Sequence, residues 1–437
     1  NGLTLKVNGI TGTTTADGTR VATGLFKGNG THGGNANAKK INTFRVGVLD
    51  GYSFSQGSEA TDVTINEAGA TPNRGSKRFN DSLPPAEWAF STYVRPFKHG
   101  TNSWREAGDH DMVENILWAS IAGKDITDGA LTGTSAPAVT VDGTDADVSF
   151  VRSEHHELLK LNVFFALENT TYRLNDAQVN QCEIDFSIDG IAQLSWSGNA
   201  TTIDQITEVI EDPSKTLHIQ NGNTGANTAA VNGADTVTSV ATFVEGYNYA
   251  DNTGPDDADY LRNKLSTLTL QAALQGGGKA SGGLDARTYD INITGGSITI
   301  ANNVTYVTPE TLGVIDKSIG SFTGARTITG SLTCYLDTKS NGSNQLLSDM
   351  AAATDLVSNV FNMSLFMGGA SSAVPVVEFD IPRAHLQVPT LETGDIISTS
   401  VEFSAHGSTL LDGDEMTVKY KGLTAHTDSQ YTTDHAV

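Results

Sequence analysis

Only two cysteines, eleven prolines and 27 lysines plus arginines occur in 437 residues. Each shortage removes a class of protein. Cys182 and Cys334 are too few and too far apart for a disulfide framework or a cysteine-based zinc site, and ordinary half-buried packing is the common fate of such thiols. The basic residues face 50 Asp and Glu, which leaves a net charge of −23. That balance argues against a protein that grips nucleic-acid phosphates, because such binding needs clustered cations. It fits an exported, halophilic or simply soluble protein, or a surface that must not stick to DNA. No apolar run approaches the ~20 residues of a membrane helix. The opening NGLTLKVNGI has neither the charged region nor the apolar stretch of a signal peptide, so none is expected.

What the chain has instead is turn residues and alternation. Gly, Thr, Ser, Asn and Ala are abundant, and many short runs alternate apolar with polar side chains. Together these describe a turn-rich, mainly β protein. One stretch occurs twice in outline. Residues 177–197, AQVNQCEIDFSIDGIAQLSWS, align without a gap to residues 384–404, AHLQVPTLETGDIISTSVEFS, at a constant offset of 207. Both end on a strand of period two. On the two strands Ala192, Leu194 and Trp196, and Thr399, Val401 and Phe403, form the expected core face. Gln193, Ser195, Ser197, Ser398, Ser400 and Glu402 form the opposite face.

Taken in order, the sequence repeats more than that stretch. Gly51-Tyr52-Ser53-Phe54-Ser55 corresponds to Gly295-Gly296-Ser297-Ile298-Thr299 at an offset of 244, and Tyr93 to Tyr335 at 242. Each copy then offers a helix at apolar spacing, VENILWASIAG and NQLLSDMAAAT, before its later strands. The fall from 242 to 207 places 35 additional residues in the first copy, in line with its Asp/Gly/Thr-rich loop at about 124–148. Order and spacing together indicate an internal duplication. The expected organisation is an N-terminal strand pair or arm over 1–40 (LTLKVNGI with TRVATGLF), a first domain over 41–200, a linker with a short helix (IDQITEVIED) over 201–260, a second domain over 261–408 and a tail over 409–437.

Motifs that could carry chemistry do not hold up. Gly28-Asn29-Gly30-Thr31-His32-Gly33 satisfies G-x-G-x-x-G but does not open a helix, as a dinucleotide site requires. His155-His156-Glu157 enters a strand and lacks the spacing of a zinc helix. Asp142, Asp145 and Asp147, like Asp256, Asp257 and Asp259, resemble calcium loops without the closing Glu. GGGKAS at 276–281 lacks the first Gly of a phosphate loop. No nucleophile elbow occurs. The reading is of a non-enzymatic protein with no cofactor and no metal site.

Three phrases resemble phage tail tube proteins: CEIDFSIDGIAQLSWSGNA, SITIANNVTYVTPETLGVIDKSIGSFTGARTITGSLTCYLD and FDIPRAHLQVPTLETGDIISTSVEFSAH. The resemblance implies two tandem β-sandwich or β-barrel tail-tube domains, each with a flanking short helix. It implies rings whose inner strands join into one barrel around a lumen, stacked through a long loop or hairpin, with double-stranded DNA passing through unbound. A duplicated chain would need three copies where single-domain members use six. Partners implied are the chain itself, a tape measure protein, a tail terminator and baseplate or tail-tip proteins. The resemblance also implies no membrane anchor and assembly in the host cytoplasm into the virion tail. Gln193, Ser195, Ser197, Ser398, Ser400 and Glu402 would then face the lumen. Loops at about 56–85 and 301–325 would reach the next ring, with Thr61, Asp62, Thr64, Asn66, Asn303, Thr305, Thr308 and Glu310 as contact candidates. The rival readings are a capsid decoration or tail-tip protein, and a secreted carbohydrate-binding adhesion module using Trp88, Trp104 or Trp118.

Overall fold

The computed structural model describes residues 2–7, 43–64, 75–99, 108–125, 139–141, 143–150, 156–167, 170–206, 260–272, 288–308, 317–352, 360–369, 375–387, 390–392, 398–423 and 425–426. Antiparallel strands dominate them, as the alternating pattern requires. Eight strands form one continuous run: Ser53–Ser55, Ala86–Tyr93, Gln193–Ala200, Thr170–Ser187, Ile293–Ala301, Thr327–Tyr335, Ser398–Ala405 and Thr390–Glu392. The long strand Thr170–Ser187 changes partners along its length. Its second part pairs with 193–200 and 293–301. Its first part leaves that sheet and pairs with Leu161–Leu167 and Thr202–Ile206.

That crossing creates a second layer. Thr43–Gly47, Gly2–Val7, Leu161–Leu167, residues 170–177 and Thr202–Ile206 run side by side in that order. In the other half of the chain Thr288–Ile291, Thr267–Ala272, Phe361–Met367, Val376–Leu386 and Thr417–Lys421 run in the same order. Each layer turns its apolar face inward, the geometry of a β-sandwich. Trp88, Phe90, Leu194, Trp196, Ile184 and Phe186 on one side of the first half are buried against Val46, Leu161, Val163 and Phe165. In the second half Ile298, Ile300, Leu332 and Phe403 meet Leu268, Met363, Leu365, Phe379 and Val418. All belong to one contiguous core.

The first helix, Asn115–Ala122, has all eight residues buried. It sits where the halves meet. The Trp118 indole N–H donates to the Tyr420 hydroxyl at 2.8 Å, and its ring meets Trp196 edge-on with centroids 5.2 Å apart. The side-chain amide of Asn302 donates to the Ile121 carbonyl at 2.9 Å. The second helix, Ser343–Ala352, buries one face only, through Leu346 and Met350. Tyr289 holds it by donating to Asp349 at 2.9 Å.

Several expectations need correction. The arm is an integral strand: residues 2–7 pair with 43–47 on one side and 161–167 on the other. Their expected partner at 19–26 lies outside the described residues. The helix expected from Ile203 is a strand over Thr202–Ile206, because β-branched Thr202, Ile203 and Ile206 suit the ladder. There Arg173 donates to Asp204 at 3.0 Å and fixes the register; the rest of that segment is outside the described residues. The tail after 408 contains a core strand, Thr417–Lys421, with Val418 and Tyr420 fully buried. The acidic insertion is not all loop either, since Val139–Val141 and Ala146–Ser149 extend the sheet through 417–421. Short strands supply too few apolar positions to announce themselves in sequence.

Glu114, just before the first helix, is wholly buried. Burial pushes its carboxyl up to about 7, against the opposing influence of the Tyr420 hydroxyl and the Arg95 guanidinium. A carboxyl raised in the folded state is protonated there while the unfolded chain has lost its proton, so stability falls as pH rises from about 4.5 to about 7 and is flat above. The difference amounts to about 3 kcal/mol. Glu114→Gln is therefore expected to remove most of that fall, measured as denaturant unfolding free energy of the unassembled protein between pH 4.5 and 8. Parallel pH profiles for the two proteins would contradict it.

Candidate functional site

The eight-strand sheet has a second face that points away from the core, and its composition is restricted. Directly opposed residues share a face of an antiparallel sheet. One row therefore runs Ser91, Ser195, Glu183, Thr299, Thr329 and Ser404. Its neighbours are rows of the same kind, with Tyr93, Gln193, Asp185, Ser297, Ser331 and Glu402 in one of them. Hydroxyls link strands along it, with the Ser91 and Ser195 oxygens 3.0 Å apart. On strands 86–93, 181–187, 193–200, 293–301, 327–335 and 398–405 the outward positions include four carboxylates, Glu87, Glu183, Asp185 and Glu402, and no Lys or Arg.

The structure puts Gln193, Ser195, Ser197, Ser398, Ser400 and Glu402 on this face. Ala192, Leu194, Trp196, Thr399, Val401 and Phe403 are buried beneath it. Sequence reasoning passed over Glu87, Glu183 and Asp185. The signal was present: Glu183, Asp185 and Ser187 alternate with Cys182, Ile184 and Phe186 within the repeated stretch. Trp88 and Trp118 are buried, so neither offers a ring to a sugar; Trp104 lies outside the described residues.

Both ends of the sheet are open among the described residues. Ser53–Ser55 pairs only with 86–93, and Thr390–Glu392 only with 398–405. A free edge displays unpaired N–H and C=O groups and invites another strand.

Two hairpins leave this sheet from the same end. Glu59–Thr64 with Ser76–Ser82 connects strands 53–55 and 86–93; Val304–Val307 with Gly320–Thr323 connects 293–301 and 327–335. Each sets a Thr opposite a Phe, Thr61 with Phe79 and Thr305 with Phe322, and a Val two residues beyond the Thr. Val63, Phe79, Val307 and Phe322 are exposed, Phe322 to 57% and the adjoining Ile319 to 73%. Apolar side chains grouped in solvent on one hairpin are candidates for a contact surface. Of the stacking candidates, Thr61, Asp62, Thr64, Asn303 and Thr305 are exposed and Thr308 is half-buried. Asn66 and Glu310 lie outside the described residues. The exposed Phe and Val residues were missed, although the Thr-x-Val repeat at 61–63 and 305–307 carried the signal.

The hairpins differ in support. Hairpin 304–323 lies on the first half of its own chain. The Val304 N–H donates to the Asn180 side-chain oxygen at 2.7 Å, and the Ser321 hydroxyl to the Gln178 side-chain oxygen at 2.5 Å. The Tyr306 hydroxyl reaches the carbonyls of Asp176 and Asn199 at 3.2 and 3.0 Å. Hairpin 59–82 has no such bed among the described residues: twelve of the thirteen residues in its two strands are exposed.

A β-sandwich with two open edges, an acidic outer face and apolar hairpins at one end belongs to the class of structural β proteins. Sequence comparison specifies the family. The chain is 36% identical over 379 residues to the tail tube protein pb6 of Escherichia phage T5, covering 86% of this chain and 70% of that protein. No protein-family model matches it. The chain belongs to the phage tail tube proteins and is a structural component of the virion tail.

Tyr306→Phe removes a hydroxyl shared by two carbonyls. Loss of a buried hydrogen bond of this kind costs about 1 kcal/mol. The expected result is faster amide exchange confined to hairpin 304–323 with little change in global unfolding. Exchange spreading evenly through the sheet would show that the hairpin is not a separately docked unit.

Proposed function

We propose that three copies of this chain close into a ring, that rings stack into a tube, and that the tube conducts DNA during ejection. The observation that carries this is the junction inside the chain. Strand 181–187 pairs with 295–301 and so joins two four-stranded sheets of the same strand order edge to edge. The free edges, 53–55 and 390–392, occupy in their own sheets the positions that 297–299 and 183–185 occupy at the junction. Pairing them between chains repeats the junction and leaves no edge open.

The ladder registers support the duplication that this reading needs. Ser53 opposite Ala89 and Ser297 opposite Ser331 match at offsets of 244 and 242. Glu183 opposite Ser195 and Thr390 opposite Ser400 match at 207 and 205. In the second layer Phe165 opposite Tyr172 and Leu365 opposite Phe379 match at 200 and 207. The gap-free alignment thus holds for the first strand of the repeated stretch and slips by two for the second.

In the ring the acidic face lines the lumen. Glu87, Glu183, Asp185 and Glu402, repeated in every copy, repel the phosphates and leave no cation to hold them, so DNA slides. The exposed Val63, Phe79, Val307 and Phe322 on the hairpin strands meet the next ring. Tape measure, terminator and tail-tip proteins would engage the same lumen and the two tube ends.

Electron microscopy of the purified protein is the direct test: three-fold rings with a six-fold outline, or hollow tubes, are expected. Monomers that never assemble at high concentration would overturn the proposal. Changing both Glu183 and Asp185 to Lys should leave tube assembly intact, because both residues point off the core, and should slow DNA release from virions at low salt more than at high salt. Release at the parental rate at every salt concentration would remove the electrostatic role from the lumen face.

A further inference from the structure

We infer that hairpin 59–82 of one chain lies across the Arg383–Gln387 segment of the next chain in the same ring, in the way hairpin 304–323 lies across Asp176–Asn180 of its own chain. This rests on the ring proposed above and names the contact that closes it. Three observations lead there.

The first is the pattern shared by the hairpins. With Thr61 and Phe79 matching Thr305 and Phe322, the opposite face of the first hairpin carries Ala60, Asp62 and Arg78 at the positions of Val304, Tyr306 and Ser321. Those three residues of the second hairpin make its docking contacts. In the first hairpin the same face is in solvent. Within the chain it is fastened at its base, where the Gln56 side chain donates to the carbonyls of Pro84 and Thr201.

The second is the bed. At the offset of 207 Asp176, Gln178 and Asn180 correspond to Arg383, His385 and Gln387. The register agrees, since Gln178 lies opposite Asn199 and His385 opposite Ser404. Among the described residues this second bed carries no hairpin. Arg383 is 43% exposed, and Gln387 and His406 are exposed beside half-buried His385.

The third is charge. The contact inside the chain joins neutral side chains, Tyr306 and Ser321, to amides and carbonyls. The unfilled pair of surfaces is charged on both sides. Asp62 and Arg78 form a two-pronged ion pair at 2.8 and 2.9 Å, and Arg383 faces Asp414 at 3.4 Å. By the same correspondence Asp62 would meet the opposite charge of Arg383, and Arg78 would fall on His385. The neutral hairpin suits the chain's own bed and the charged one its neighbour's, which keeps the two from exchanging places.

Disulfide cross-linking of assembled protein tests this. Ala60→Cys with Gln387→Cys should link chain to chain under mild oxidation and close at the trimer on a denaturing gel. Cys182 and Cys334 are buried and give little background. Ser55→Cys with Thr390→Cys reports the ring itself, because those positions correspond to Thr299 and Glu183, which are opposite each other at the junction. Links from both pairs support the inference. Links from the second pair alone overturn it while leaving the ring in place, and links from neither overturn both. Should a double variant fail to fold, hydrogen exchange of the parent protein decides. Amides of 59–64 and 76–82 should slow at least tenfold when single rings form, and unchanged exchange there overturns the inference.

Discussion

The antiparallel ladder between residues 181–187 and 295–301 is the constraint on which the rest of the fold depends. A sheet has two edges, and each is a row of unsatisfied donors and acceptors. Joining two sheets edge to edge satisfies one edge of each and moves the remaining two to the ends of a longer sheet. The ladder also fixes the shape of what surrounds it. Strand 170–187 must serve both layers, so it bends out of the first sheet near a register shift at Asn180, where an extra residue lets a strand turn. Strand 376–386 behaves alike, pairing with 361–367 and 417–421 before it meets 398–405.

Around that ladder the two helices have unequal surroundings, and the inequality is informative. Asn115–Ala122 is enclosed because the second half of the chain covers it with Asn302 and Tyr420, and strand 146–149, which pairs with 417–421, adds to that cover. Ser343–Ala352 in the second half lies beside 288–291 and is covered on one side only. The hairpins show the same asymmetry, one seated and one bare. The hairpin facing the chain's own junction is seated and the one facing its free end is bare, and in the proposed ring a neighbouring chain would cover the second.

How much of this was legible in the sequence depended on strand length. Strands 86–93, 193–200 and 398–405 have four inward positions each and were readable from alternation, as were the buried Trp88, Trp196 and Phe403. The polar face followed from the same period. Residues 2–7, 202–206 and 417–421 are short strands whose partners are distant in the chain; the first was legible as a strand but not its place in the sheet, and the other two were read as a helix and a tail. Ile203 and Ile206 sit three apart, which mimics a helix face. The stretch aligned at a single offset of 207 has a two-residue slip between its strands, hidden because a shift of two keeps every side chain on its face. Only the ladder register could reveal it.

That slip makes sense of one pair of contacts. Trp88 lies directly opposite Gly198, and Phe403 directly opposite Gly330. A Cβ on Gly198 would sit 2.6 Å from the Trp88 ring, and one on Gly330 2.4 Å from the Phe403 ring. Under the proposed duplication, at offsets of 242 and 205, Trp88 would correspond to Gly330 and Gly198 to Phe403, with the aromatic ring and the glycine exchanged between strands at one cross-strand position. The volume between the strands is conserved while its donor is not. A large ring needs a partner without a side chain, and either strand can supply it. Two sheets that share strand order and register need share little sequence, provided each opposed pair adds up to the same filling, which is why the two halves match in period and spacing far better than in residues.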